Sequence, residues 1–244
     1  DGHTHDHTHD HEYHHHSHAA EHHHDHEKLE IDVQRDILNK NQMFAERNRG
    51  YFEAKSVKAF NLVSSPGSGK TTLLEELIRR VGGAIKIFVV EGDQQGTLDA
   101  DRISALDVPV VQINTGKSCH LDAEAVGLAV KHLEPEQGSL VFVENVGNLM
   151  CPSLFDLGEN YRVVLLSTPE GEDKPFKYPD MFYTSHVCVI SKTDIAEPCG
   201  FSIEKAAENA LKVNPGLRIF EVSAKTGEGM DDLVNWIREV SGDK

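Results

Sequence analysis

The 244 residues carry 24 Lys and Arg against 40 Asp and Glu, a formal net charge of -16 with histidine neutral; this acidity argues against nucleic acid as a partner. No apolar run of about 18 residues and no charged-then-apolar leader occurs, so a membrane span and a secretory signal are not expected, and the chain reads as cytoplasmic. Four cysteines, Cys119, Cys151, Cys188 and Cys199, are too few and too scattered for a disulfide framework and are expected as thiols.

The chain opens on Asp1 rather than Met, which predicts residues upstream of it. Residues 1–26 hold 13 of the 16 histidines among Asp, Thr and Glu. With almost no apolar side chains, residues 1–27 are expected to form a disordered tail that buffers several divalent ions of the nickel and zinc type without one defined site. Residues 28–55 follow as a helical segment, with Val33, Ile37, Leu38, Met43 and Phe44 as the apolar stripe and a break near Asn39 to Asn41.

From residue 56 to 244 short unbroken apolar runs alternate with helical patterns. The runs are 59–64, 84–90, 108–113, 139–144, 161–167, 186–191 and 217–223; helices are expected over 70–81, 97–106, 121–133, 203–213 and 229–240. The pattern predicts an α/β fold with a doubly wound, mostly parallel sheet and ligands at the carboxyl ends of its strands.

The first strand runs into "SPGSGKTT" and a helix, a phosphate-binding loop in which Ser64 stands at the first glycine position of the usual pattern. Pro66, Gly67, Ser68, Gly69, Lys70, Thr71 and Thr72 are the expected phosphate contacts, with Lys70 reaching the β and γ phosphates and Thr71 ligating Mg²⁺. "FVVEGD" ends the second strand with Glu91 and Asp93; Asp93 is assigned to the water or to the metal shell. "VENVG" ends the fourth with Glu144 in the place of the usual switch Asp, and the Gly147 amide is expected to sense the γ-phosphate. "SKTD" puts Lys192 over a base and Asp194 against guanine N1–H and N2–H₂, and Ser223, Ala224 and Lys225 of "SAK" complete the pocket. Hydrolysis of GTP with Mg²⁺ is therefore expected, at slow turnover because no arginine finger is evident.

Cys119 and His120 lie in the loop after the third strand, and Cys151 lies four residues past Gly147. All three fall at the ligand edge of the sheet, so they are expected to form one Ni²⁺ or Zn²⁺ site, its fourth ligand coming from a second copy of the chain or from water.

Taken together, "NLVSSPGSGKTTLLE", "TGKSCHLDA", "ENVGNLMCP" and "SKTDIAEP" resemble the HypB family of GTPases in [NiFe]-hydrogenase maturation, over roughly residues 30–240. The resemblance implies a SIMIBI-type G domain that dimerises with GTP. It also implies nickel delivery to the hydrogenase large-subunit precursor with a HypA-type metallochaperone, and it places the metal site on Cys119, His120 and Cys151. The short Cys-rich nickel motif that some members carry near the N-terminus is not seen here, whereas His-rich tails linked to nickel storage are known among others. Two alternatives stand beside it. One is a urease accessory GTPase of the UreG type, which resembles a Cys-Pro-His arrangement, whereas this chain separates Cys119-His120 from Cys151-Pro152; the other is a metal-storage protein with a regulatory G domain.

Overall fold

The computed structural model describes residues 21–93 and 98–242, with side chains given from Val33 onward except for Leu98. Two units emerge, Asp1–Ile37 and Leu38–Lys244. The described part of the first is helical from Glu21; the His-rich tail lies for the most part outside the described residues.

The seven apolar runs become seven strands, all parallel: β1 (Lys58–Ser64), β2 (Ile87–Asp93), β3 (Val110–Asn114), β4 (Leu140–Glu144), β5 (Tyr161–Ser167), β6 (Val187–Ser191) and β7 (Arg218–Val222), in the order β3-β2-β4-β1-β5-β6-β7. Unbroken burial along β1, β2, β4, β5 and β6 follows from helices covering both faces, which is why these strands lack a polar–apolar alternation. One face packs α2 (Lys70–Val81) and the C-terminal helix α8 (Met230–Ser241), which brings Trp236, over Phe60 and Phe142. The other carries α4 (Ala123–Leu133) over Val90, Val141 and Phe52, and α7 (Ile203–Val213) over Val164, Leu166 and Ile190. Three short helices complete the set: α3 (Leu98–Ser104), α5 (Lys174–Lys177) and α6 (Pro179–Tyr183). The last two are too short for a periodicity signal. No helix among the described residues is long and apolar enough to cross a membrane.

The helix that begins the described chain, α1 (Glu21–Ala54), runs through Asn39 to Asn41 without the expected break. Its buried face is also different from the apolar stripe: Val33, Ile37 and Met43 are exposed, and Asn41, Ala45, Asn48 and Phe52 are buried. Spacings of four, three and four put these on one helical face, but two of the four are amides, so hydrophobic periodicity does not reveal it. The amides work as clamps. Asn41 donates to the Asp156 carbonyl (2.8 Å) and accepts from the Ala123 amide (2.8 Å); Asn48 donates to the carbonyls of Ala123 (2.8 Å) and Leu157 (3.0 Å). Gly158 (φ +83°) lies so close that a Cβ there would sit 2.4 Å from the Ala45 carbonyl oxygen.

Replacing Asn48 by Ala leaves two carbonyls without their donor in a buried interface, and is expected to cost roughly 2 kcal/mol. Urea unfolding checks this; a change within about 0.5 kcal/mol, the range of an ordinary surface substitution, would show the clamp to be without weight.

Candidate functional site

The carboxyl edge of the sheet holds the phosphate loop between β1 and α2. Gly67 and Gly69 take left-handed φ of +74° and +97°, conformations that turn the loop amides inward at no steric cost. Ser64, at the position where the usual loop has Gly, is fully buried and uses its hydroxyl as an anchor: it accepts from Lys70 Nζ (3.0 Å) and donates to the Ser65 carbonyl (2.7 Å). Burial pulls the Lys70 pKa down from its ordinary value, against the attraction of Glu144.

A cavity of about 550 Å³ opens over this loop, lined by Pro66, Gly67, Gly69, Lys70, Thr71 and Thr72, by Asp93, Glu144 and Gly147, and by Lys192. It thereby gathers most of the residues expected to handle phosphate. Thr71 Oγ1 donates to Glu144 Oε1 at 2.7 Å. Gly147 lies flat against the loop, where a Cβ would come within 3.0 Å of Pro66 Cα.

Three charged residues without an assigned role in the sequence line the same cavity: Glu91, Asp99 and Arg102. Carboxylate oxygens of Glu91, Asp99 and Glu144 lie within 4.8 Å of one another. The parallel register of β2 and β4 pairs Glu91 directly with Glu144, so the two side chains leave the sheet on the same face. Both are buried, and Oε2 of each lacks a hydrogen-bond donor. Desolvation, then the Glu144 and Asp93 charges, push Glu91 up to about 8; desolvation pushes Glu144 up to about 7 although Lys70 and the Thr71 hydrogen bond oppose it. Such orphaned hard oxygens beside a threonine hydroxyl fit a Mg²⁺ ion. Asp93, two residues beyond Glu91, lines the same cavity and is half-buried where Glu91 is buried. Arg102 is held by Glu75 (2.9 Å), Asp99 (3.2 Å) and the Thr72 hydroxyl (3.3 Å).

A second cavity, about 220 Å³, adjoins the first at Gly69, Thr72 and Lys192, and is lined further by Asp194, Ala224 and Lys225. Lys192 adopts φ +62° and its ammonium donates to the Gly67 carbonyl (2.7 Å), so its stem lies across the loop. Asp194 accepts from Ser223 Oγ at 2.7 Å, and Ser191 donates to the Ser68 carbonyl at 3.0 Å. The two loops expected to hold a guanine base thus meet beside the phosphate loop.

On the other side of β4, Cys119, His120 and Cys151 come together, with one donor atom of each within 4.8 Å of the others. The two sulfurs are 2.7 Å apart and Cys119 Sγ is 3.9 Å from His120 Nδ1. The His120 ring stacks on Phe155 with centroids 3.9 Å apart. Partial burial lowers the His120 pKa, favouring the neutral ring that can bind a metal; the Cys119 hydrogen bond raises the pKa of Cys151. Cys188 is core, its thiol pushed up to about 12 by burial, and Cys199 is an exposed loop residue.

Glu91 was legible as a strand-end acid in "VVEGD", but only the β2–β4 register tells it from Asp93. Asp99 and Arg102 had no local signal beyond a charged helix start.

Comparison with known proteins places these sites in context. Residues 58–221 match the CobW/HypB/UreG nucleotide-binding domain. The chain is 50% identical over 212 residues to hydrogenase maturation factor HypB of Azotobacter chroococcum mcd 1, covering 87% of this chain and 70% of that one. Its backbone is similar to the crystal structures of HypB from Helicobacter pylori in complex with nickel (38% identity, TM-score 0.79, 84% of this chain and 96% of that one) and of HypB from Archaeoglobus fulgidus (38%, 0.78, 83% and 99%).

The burial of Glu91 has a measurable consequence. Its neutral carboxyl contributes stability in full below about 4.5, and that contribution is lost as pH rises through about 8. Glu91→Gln is therefore expected to stabilise the protein, free of nucleotide and divalent cations, by roughly 2 kcal/mol above about pH 8 and to change it little near pH 5. Urea unfolding across that range checks it, and equal stabilities at both ends would show that Glu91 is not a buried charge.

Proposed function

The chain belongs to the HypB group of the CobW/HypB/UreG nucleotide-binding family, a family of P-loop GTPases, and we propose that it hydrolyses GTP to control the carriage of Ni²⁺ during [NiFe]-hydrogenase maturation. The observation that carries this reading is that the Cys119, His120 and Cys151 donors gather at the same sheet edge as the phosphate loop. In this reading both sites are built on the segment from Glu144 to Cys151, so occupancy of one is felt by the other.

The chemistry of hydrolysis here is positioning and charge neutralisation. Lys70 and the loop amides from Gly67 to Thr72 hold the phosphates, and the Gly147 amide donates toward the γ-phosphate position. Thr71 and Glu144, with Glu91 and Asp99 beside them, would hold a Mg²⁺ ion, which would supply charge neutralisation of the phosphates. Asp93, in the same cavity, positions the attacking water. Asp194 reads the guanine edge, Lys192 covers the base, and the Ser223, Ala224 and Lys225 loop closes the pocket. Turnover is slow without a further cation at the γ-phosphate.

Ni²⁺ is cargo. Two thiolates and one imidazole leave a ligand position to be filled by water or by a second copy of the chain. The same donor set accepts Zn²⁺. We read the GTP-bound form as a homodimer working in the cytoplasm, a HypA-type metallochaperone and the large-subunit precursor as its partners, and the His-rich segment as a nickel store.

Two measurements test the reading. Asp194→Asn is expected to weaken GTP binding by about tenfold or more and to shift preference toward xanthine nucleotides, since one good charge-assisted pair carries that much; unchanged GTP affinity removes Asp194 from the base pocket. Sedimentation of the full chain with GDP or a non-hydrolysable GTP analogue, with and without Ni²⁺, is expected to show a dimer with the analogue that Ni²⁺ stabilises and Cys119→Ala weakens. A monomer under all conditions overturns the shared metal site.

A further inference from the structure

We propose that Asn145 is the positioning residue that transmits the nucleotide state to the metal site, an inference that rests on the coupling described above and names its physical route. Asn145 sits between Glu144, whose carboxylate holds Thr71, and Val146-Gly147, which lie against Pro66 of the phosphate loop. Its main-chain amide donates to the Leu62 carbonyl (3.0 Å), which fixes it to the end of β1. The residue is 2% exposed and its side chain makes three hydrogen bonds.

One arm is short. Asn145 Oδ1 accepts from the Leu121 amide at 3.2 Å and from the Val146 amide at 3.0 Å. Leu121 directly follows His120, so this oxygen joins the γ-phosphate-facing turn to the Cys119-His120 loop through a single atom. The Leu121 side chain is held from another direction, packed on Gly92, where a Cβ would come within 2.7 Å of it. Gly92 itself lies between Glu91 and Asp93. Leu121 is thus seated on both strand ends that frame the phosphate cavity, with only an alanine-sized gap denied between them.

The second arm is longer and runs the other way. Asn145 Nδ2 donates to Asn61 Oδ1 (3.2 Å), Asn61 Nδ2 donates to Glu159 Oε1 (3.1 Å), and Arg162 Nε donates to the same oxygen (2.9 Å). The Arg162 guanidinium then donates to the carbonyls of Ser153 (3.2 Å) and Phe155 (2.8 Å), in and just beyond the 3₁₀ turn Cys151–Leu154. Burial pushes Glu159 up, yet Arg162, Asn61 and the neighbouring amides outweigh it and hold the carboxyl below its ordinary range. Glu159 is therefore the charged partner of Arg162 in this chain of bonds, and the two asparagines link that ion pair to Asn145 through neutral hydrogen bonds. The chain of bonds ends on Phe155, the ring stacked on His120.

An ordinary core asparagine satisfies the backbone around itself. Asn145 instead ties three segments far apart in sequence, and each of its two arms ends on one arm of the Cys119, His120, Cys151 cluster. Its amide geometry is fixed, so a shift of the Glu144–Gly147 segment when it meets a γ-phosphate cannot be absorbed locally. It must move Leu121 or break a buried hydrogen bond.

The test uses the full chain, saturated with GDP or with a non-hydrolysable GTP analogue and titrated with Ni²⁺. The readout is the near-ultraviolet thiolate-to-nickel charge-transfer absorption, which imidazoles of the His-rich segment do not give; Cys151→Ala supplies the blank. Competition from those imidazoles is the same with either nucleotide, so the ratio of apparent affinities survives it. The unsubstituted protein is expected to show a ratio of about tenfold. Asn145→Ala is expected to bring it within about twofold of unity, and Asn145→Asp, which keeps the acceptor for the Leu121 amide but loses the donor to Asn61, to leave a ratio between the two. A wild-type ratio in Asn145→Ala overturns the relay while leaving the coupling intact. Equal affinities in the unsubstituted protein overturn both. Should Asn145→Ala fail to fold, hydrogen exchange at the Leu121 amide of the unsubstituted protein carries the test: the relay requires its rate to differ between the two nucleotide forms, and identical rates overturn it.

Discussion

Two carboxylates buried side by side without enough counter-charge are the constraint around which the ligand edge of this sheet is organised. Glu91 and Glu144 are opposite partners in the β2–β4 register, each has an oxygen without a donor, and Lys70 is the nearby ammonium whose charge favours their ionisation. A protein does not keep such a pair for stability, because burying an unpaired charge costs several kcal/mol. The arrangement makes sense as a socket awaiting a divalent cation, and it explains why the neighbouring residues are as they are. Thr71 presents a hydroxyl to one carboxylate, Lys70 is drawn down onto Ser64 rather than outward to water, and Arg102 is kept at the rim by acids of its own.

The second site is soft where the first is hard. Thiols and an imidazole in one cluster and carboxylates in the other are donor sets that favour different classes of ion. What they share is support. The amides of α1 grip Ala123, at the start of the helix that follows the Cys119-His120 loop, and the Asp156–Leu157 stretch that follows the Cys151 turn. Both arms of the thiol cluster are therefore braced from behind by one helix and from the front by the residues around Gly147.

Much of this was legible in the sequence. The order of strands and helices follows from unbroken apolar runs, since a doubly covered parallel strand has no polar face to interrupt it, and the residues that gather around the two cavities and in the thiol cluster lie in loops whose chemistry is local. Residues whose role depends on register were not legible. Glu91 and Asp93 have the same parity on β2 and identical charge; only the partner strand decides which one is pressed against Glu144. Asn145 looks like a loop polar residue until Asn61 and Leu121 are placed next to it. The face of α1 was misread for a related reason: its inner surface is built from Asn41 and Asn48, whose hydrogen bonds are to chain segments far away, while apolar Val33, Ile37 and Met43 face outward.

That polar inner face has a mechanical consequence. A helix docked through leucines is held by apolar area and resists leaving in water at any price below several kcal/mol, whereas the stretch from Asn41 to Asn48 is held by amide hydrogen bonds that water can replace one for one. Its release exposes little grease, with Ala45 the sole apolar residue buried between the two amides, and Phe52 downstream still anchors the helix end in the core. Docking of this stretch thus rests on directional polar bonds more than on apolar area, and what those bonds hold in place is the backbone next to the Cys119-His120 loop and the Cys151 turn.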